Sequence, residues 1–186
     1  MSGLPRLSYE NKKYEIVRLL QNGADVNEKD SQGYTALWNA CLKNNTELTE
    51  ILLKNKKINV NLQNDDGGYS PFYIACWENS HECALIMLKD ARVDINLTDN
   101  KGWSPLLRAC YYGHTKTVQL LISFGRNIDI LKKSTKDCGI KLGSTALDVA
   151  KQQNDTDIVQ LLEQYENNPK ETQKTLRNEL NLKGKK

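Results

Sequence analysis

Four stretches of this chain open in the same way, with a glycine, one further residue, a Ser or Thr, and then Pro or Ala. The phrases are Gly33-Tyr34-Thr35-Ala36-Leu37, Gly68-Tyr69-Ser70-Pro71-Phe72, Gly102-Trp103-Ser104-Pro105-Leu106 and Gly143-Ser144-Thr145-Ala146-Leu147. Self-similarity at a period of roughly 33 residues is typical of a stacked repeat array. Such an array usually acts through an extended surface rather than through a catalytic pocket.

Each phrase encodes a tight turn followed by the start of a helix. Glycine reaches the backbone angles of such a turn at no steric cost, and the Ser or Thr hydroxyl caps the helix that follows. A polar break comes next, and then a second apolar segment, as at residues 48–53 and 118–122. Apolar residues recur there at three- and four-residue steps, which predicts a helix with one buried face.

These units resemble the ankyrin-repeat family, whose usual phrase contains Gly, Thr-Pro-Leu-His, paired Ala, Gly-His and Gly-Ala-Asp-Val-Asn. The segment Asn22-Gly23-Ala24-Asp25-Val26-Asn27 matches the last element almost letter for letter. The resemblance covers about residues 4–165 and implies an all-α ankyrin-repeat solenoid of about five helix-turn-helix units with β-hairpin-like fingers. The family His is replaced in every complete repeat, by Trp38, Tyr73, Leu107 and Asp148.

The resemblance also implies a division of the chain. An N-terminal capping repeat at 1–29 precedes repeats at 30–64, 65–98 and 99–133 and a C-terminal repeat at 134–167. That last repeat carries an inserted finger loop near 132–142, which is either part of a binding face or simple drift in a tolerant loop. Residues 168–186 form a basic tail, either a short helix through Leu176 and Leu180 or, as its Lys-rich end favours, a flexible segment.

Composition narrows the classes of function. The net charge of +3 lies in the tail, so the neutral body argues against nucleic-acid binding. No long apolar run predicts a membrane span, and the first residues lack the apolar core of a signal peptide. Cys41, Cys76 and Cys110 share one small-residue slot, which predicts reduced packing residues in the cytoplasm, with the nucleus as the alternative.

Residues for catalysis or metal binding are not apparent in the sequence. The two histidines are His81 and His114, and His114 occupies the family's Gly-His position, for which a structural role is ordinary. The residue four after His81 is Leu85, so a zinc-protease phrase is incomplete. We therefore expect no enzymatic activity, no metal and no cofactor.

Six aromatic residues occupy positions that face outward in the family. Tyr34, Tyr69 and Trp103 follow the turn glycines, whereas Trp77, Tyr111 and Tyr112 end the first helices, next to Glu78. These seven residues are the predicted partner-binding site, because Tyr and Trp dominate binding energy at protein interfaces. The alternative is that these rings pack between repeats. For the residues at the helix ends, partner binding is favoured over packing. For the three residues that follow glycine, the two interpretations are equally favoured. Trp38 and Tyr73 are expected to pack inside.

The function implied is a non-enzymatic protein–protein interaction module, an adaptor or inhibitor, that is monomeric alone and binds a protein through an aromatic concave surface. The alternative is a regulatory subunit or assembly chaperone of a larger complex. Charge along the fingers changes sign, so that an extended partner would meet an acidic middle and a basic C-terminal end. The residues concerned are Asp30, Asp65, Asp66, Lys101, Lys132, Lys133, Lys136 and Lys141.

Overall fold

A computed structural model describes residues 3–135 and 139–182, which form eleven α-helices and no β-strand. Lys136, one of the basic residues assigned to the fingers, and residues 183–186 of the basic tail lie outside these ranges. The helices are α1 (Leu4–Tyr9), α2 (Lys13–Gln21), α3 (Ala36–Leu42), α4 (Thr46–Leu53), α5 (Pro71–Trp77), α6 (His81–Lys89), α7 (Pro105–Tyr111), α8 (Thr115–Ser123), α9 (Ala146–Gln152), α10 (Thr156–Asn167) and α11 (Pro169–Glu179).

The helices are arranged as a two-layer stack of antiparallel pairs. Helices α1, α3, α5, α7 and α9 pack on one another in chain order, and α4, α6, α8 and α10 form the second layer. One hydrophobic core runs between the layers through all five pairs, from Leu4 to Leu162. The predicted ankyrin-type solenoid is therefore confirmed.

Local sequence explains where the first helices begin. The side chains of Thr35, Ser70 and Ser104 each accept a hydrogen bond from the backbone N–H three residues later, and Thr145 completes a capping box with Asp148. Where each pair turns, one residue adopts a positive φ, a backbone region that favours Asn and Gly. These residues are Asn11, Asn44, Asn79, Gly113 and Asn154.

The fingers are tight turns joined to one another by backbone hydrogen bonds. The Asp99 N–H donates to the Trp103 carbonyl to close one turn, and equivalent bonds close the turns at Asp30 and Asn64. Neighbouring fingers are bridged by Asn100 N–H to Gly67 O at 3.0 Å and by similar bonds on either side. This ladder fixes the position of each finger relative to the next.

The expected flexible tail is wrong for residues 169–179, which form α11 against α8 and α10. Asn168 caps this helix, and Leu176, which is 4% exposed, anchors it to the core. The Arg177 Nε donates to the Ser123 carbonyl at 2.6 Å and its Nη2 to the Phe124 carbonyl at 3.1 Å. These bonds satisfy carbonyls at the end of α8 that would otherwise lack partners.

The cysteines of the shared slot are packing residues, as expected. Cys41, Cys76 and Cys110 are fully buried among the first helices. Burial raises the pKa of each of these thiols above its ordinary value. The thiols therefore stay protonated in the folded chain.

Stability should fall in alkaline solution because of these thiols. Their pKa is raised in the folded state, so their contribution is complete below the ordinary pKa of 9.0 and is lost as pH rises above it. Each thiol adds a slope of about 1.4 kcal/mol per pH unit. We expect Cys76→Ala to reduce the slope by that amount in urea unfolding between about pH 9.5 and 10.5. Ala75→Gly, which removes a buried methyl without a titratable group, should leave the slope unchanged.

Helix α11 should contribute to the stability of the stack. Leu176→Ala removes its buried anchor, and we expect a loss of about 2 kcal/mol in urea unfolding followed by circular dichroism. The matched change Lys174→Ala alters a side chain that is 72% exposed on the same helix and should have little effect. Equal stability of the two variants would show that α11 does not support the array.

Candidate partner-binding site

The first helices end side by side along one face of the stack. Because α1, α3, α5 and α7 pack in order, their last residues, Tyr9, Leu42, Trp77 and Tyr111, form a row. Glu78 and Tyr112 follow as the C-caps of α5 and α7. Apolar and aromatic side chains thus line the ends of four successive helices.

The rings in the middle of this row contact one another. Tyr69 meets the Trp77 ring edge-on at 5.0 Å between centroids, and Trp77 lies nearly parallel to Tyr112 at 6.3 Å. Tyr112 contacts Tyr111 at 5.1 Å, and Tyr111 contacts Trp103 at 5.3 Å. The aromatic cluster comprises Tyr69, Tyr73, Trp77, Trp103, Tyr111 and Tyr112.

The predicted site residues differ in their exposure. Tyr112 is 47% exposed, Glu78 is exposed, and Tyr69, Trp77 and Tyr111 are half-buried. These five residues lie together and expose part of their surface to solvent. That a partner binds them stays a prediction.

The prediction that Trp103 contacts a partner is wrong, because this residue is 0% exposed. The Arg108 guanidinium lies 4.4 Å from the centroid of the Trp103 ring, and the edge of Tyr111 packs against the same side chain. Trp103 therefore supports the surface from below. Of the two interpretations open for this residue, packing is the one that fits.

Tyr34 lies apart from the aromatic cluster. Its half-buried ring stacks on Trp38 at 4.0 Å, and Trp38 itself is buried, as expected. Burial raises the pKa of the Tyr34 phenol, and the negative charges of Asp66 and Asp30 raise it further. Tyr34 thus extends the aromatic surface into the acidic part of the fingers.

A buried polar triad holds the aromatic cluster in place. Arg108 donates from Nε to the Tyr73 hydroxyl at 2.8 Å and from Nη2 to Asp99 Oδ2 at 3.1 Å. The Tyr73 hydroxyl donates to the same Asp99 oxygen at 2.7 Å. The guanidinium also lies 4.4 Å from the ring centroids of both Trp77 and Trp103, between the two indoles. This arrangement combines an ion pair with cation–π contacts to both indoles and to the Tyr73 ring.

Protonation states in the triad follow from its surroundings. Burial raises the pKa of Tyr73, against the opposing charge of Arg108, so the phenol remains neutral. Burial opposes the charge of Arg108, but Tyr73 and Asp99 raise the pKa of the guanidinium overall. The triad therefore contains one cation that Asp99 balances.

Sequence reasoning did not identify Arg108 or Asp99. The signal available was an arginine inside a buried helix, at a slot that Asn39 and Ile74 occupy in the two preceding repeats. Asp99 falls in the turn position of Asp30, where a carboxylate oxygen accepts backbone N–H groups, and this local role accounts for its presence. The contacts of its second oxygen with Tyr73 and Arg108 have no corresponding sequence pattern, so they could not be predicted.

His114 has the structural role that its position implied. Its Nε2–H donates to the Trp77 carbonyl oxygen at 2.8 Å, and its ring stacks on Tyr112 at 5.8 Å. The end of α5 and the most exposed ring of the aromatic cluster are thereby tied to the start of α8.

The inserted loop approaches the aromatic cluster from the C-terminal side. A Cβ at Gly139 would lie 3.4 Å from the Tyr111 hydroxyl. Ile140 is buried, whereas Leu142 is exposed. The described part of the insertion therefore borders the surface.

Within residues 3–135 and 139–182, no three His, Cys, Asp or Glu side chains converge in a way that would hold a metal ion. In the same part of the chain, every helix is too short or too polar to cross a membrane.

Comparison with known proteins identifies one family. A family model described as ankyrin repeats (3 copies) matches residues 7–99 and, in a second alignment, residues 86–173. Comparison with curated protein sequences gives no match to this chain.

Loss of the cation should destabilise the buried triad. In Arg108→Leu, Asp99 remains buried without its partner, and we expect a loss of about 3 kcal/mol in urea unfolding. Asp99→Asn added to that variant removes the unpaired charge and should recover a large part of the loss. Arg92→Leu, which breaks an exposed ion pair with Asp90, should cost less than about 1 kcal/mol. Equal losses from the two arginine changes would contradict a supporting role for Arg108.

Proposed function

The chain belongs to the ankyrin-repeat family, whose members are generally protein–protein interaction modules, and we propose that it binds a partner protein through the aromatic cluster. In this proposal it has no enzymatic activity and acts as an adaptor or inhibitor that is monomeric alone. The partner contacts Tyr69, Trp77, Tyr111 and Tyr112 directly, with Tyr34 and Glu78 at the edge. Trp103 takes part only as a support beneath these rings.

The observation that carries the proposal is the exposure of Tyr112 within an ordered set of rings. Tyr112 is 47% exposed although Trp77, Tyr111 and His114 all contact its ring. A large aromatic side chain held open to solvent is typical of a binding residue, because its burial by a partner supplies much of the interaction energy.

Fixed geometry adds to this capacity. Arg108 holds Trp77 from one side, and the hydrogen bond from His114 fixes the end of α5. Side chains that are already ordered lose little conformational entropy when a partner binds. The aromatic cluster can therefore bind more tightly than mobile rings of equal area.

The alternative function is that of a regulatory subunit or assembly chaperone within a larger complex. The same surface would serve either role, so the distinction lies in the number and stoichiometry of partners. Both roles suit a reducing compartment, the cytoplasm or the nucleus, since the described thiols are buried and unpaired.

Tyr112→Ala tests the proposed function with little effect on the fold. We expect capture of partners from native lysate, measured by mass spectrometry, to fall at least about tenfold because a hot-spot ring is lost. Trp77→Ala is less suitable, since Trp77 covers Arg108 and its loss would disturb the buried triad.

The matched control is Tyr14→Ala, which removes a ring that is 83% exposed at the start of α2, in the other layer. Its capture should equal that of the unaltered chain, and both variants should keep the original melting temperature. Full capture by Tyr112→Ala would refute the proposal. One stoichiometric complex would indicate a regulatory subunit, whereas many substoichiometric partners would indicate an adaptor.

A further inference from the structure

Two carboxylates beside the aromatic cluster lack an internal partner. Glu78 and Asp66 are exposed, and neither forms a hydrogen bond or ion pair through its side chain with any described residue. The adjacent Asp65 differs, because Lys29 Nζ lies 2.6 Å from its carboxylate. Glu10, the C-cap of α1, is likewise paired with Arg6 at 2.7 Å. Glu78 and Asp66 are thus the carboxylates here whose charge remains available.

Each free carboxylate lies beside one ring of the contacting pair Tyr69 and Trp77. Glu78 follows Trp77 directly at the end of α5. Asp66 precedes Gly67, and the Tyr69 ring covers Gly67 so closely that a Cβ there would clash with it. The field of Asp66 also reaches Tyr34, where it contributes to the raised phenol pKa. The rim around Tyr69 and Trp77 is therefore negative.

The position of Glu78 is unfavourable for the helix that carries it. The C-terminal end of a helix has negative partial charge, and a carboxylate there is repelled rather than stabilised. No described cation forms an ion pair with Glu78, so this repulsion is not relieved within the described residues. A positive group supplied by a partner would relieve it.

The ring faces of this surface already bind cations of the chain itself. Arg108 lies between Trp77 and Trp103, and the Lys43 ammonium lies 4.1 Å from the Tyr9 ring centroid. Asp99 balances the charge of Arg108, so the negative rim outside remains uncompensated. Cation–π attraction and the two carboxylates therefore favour the same class of ligand group.

The phenols favour an extended chain as the carrier of that group. The hydroxyls of Tyr69, Tyr111 and Tyr112 make no hydrogen bond with any described residue, and their rings belong to the same aromatic cluster. An extended segment exposes its backbone N–H and C=O groups, which need such partners when they are bound.

We propose that the aromatic cluster binds an extended, basic segment of the partner protein, whose Lys or Arg side chain lies against Tyr69, Trp77 and Tyr112 between Asp66 and Glu78. This inference rests on the proposed function and adds the chemistry of the partner. Lys43 and Lys101, exposed in the adjoining repeats, repel basic residues on either side and so fix the register of the segment.

A degenerate library of unstructured peptides of about 12 residues tests the inference on the immobilised full-length chain. Peptides retained by the unaltered protein should be enriched at least about threefold in Lys and Arg relative to the input. The double variant Asp66→Lys with Glu78→Lys should lose this enrichment. Glu50→Lys with Glu166→Lys makes the same change in net charge at exposed sites on second-layer helices and should preserve it.

The outcomes separate this inference from the proposed function. Retention that depends on Tyr112 but shows no enrichment in Lys or Arg would overturn the basic segment and leave the binding surface intact. Equal retention by Tyr112→Ala and the unaltered chain would overturn both. Loss of enrichment in both charge-reversal variants would show that net charge, not the pair Asp66 and Glu78, selects the peptide.

Discussion

The contact of Arg108 with Asp99 is the interaction on which the candidate site depends. Asp99 belongs to a finger, Arg108 to α7 and Tyr73 to α5, so their hydrogen bonds join three elements of two neighbouring repeats. The same guanidinium lies 4.4 Å from the ring centroids of both Trp77 and Trp103. A charge that is costly to bury thereby orders two rings, so the surface proposed to bind a partner has its shape already set.

The fold was predictable because each repeat encodes its own helices with local signals that recur in phase. Helix caps such as Ser70 and Ser104 bond to a backbone N–H only three residues away. Both partners of the hydrogen bond therefore lie within one short sequence motif. The site was only partly predictable. Tyr69 and Trp103 occupy the same slot, yet one is half-buried and the other fully buried. Arg108 and Tyr111 pack against Trp103, and Arg108 has no counterpart in the preceding repeat, where Ile74 occupies its position.

Helix α11 shows the same limit at the C-terminal end. Its composition is polar and charged, which favours a solvated tail when the segment is considered alone. Its docking depends on Leu176 and on Arg177, whose guanidinium reaches carbonyl groups at the end of α8, more than fifty residues earlier in the chain. Such a contact has no periodic pattern, so no reading of local sequence can reveal it.

Trp103 supports the aromatic surface although its buried indole N–H destabilises the folded chain. Its indole N–H is buried and has no hydrogen-bond partner among the described residues, a defect worth about 1–3 kcal/mol. Phenylalanine would remove this defect, but its ring attracts a cation less strongly than indole does. The indole face beneath Arg108 and the edge contact with Tyr111 are what the larger ring supplies. These contacts of Trp103 with the cation and with the ring of Tyr111 offset the free-energy cost of the unpaired N–H. Trp103 is therefore a structural part of the aromatic surface although it is buried.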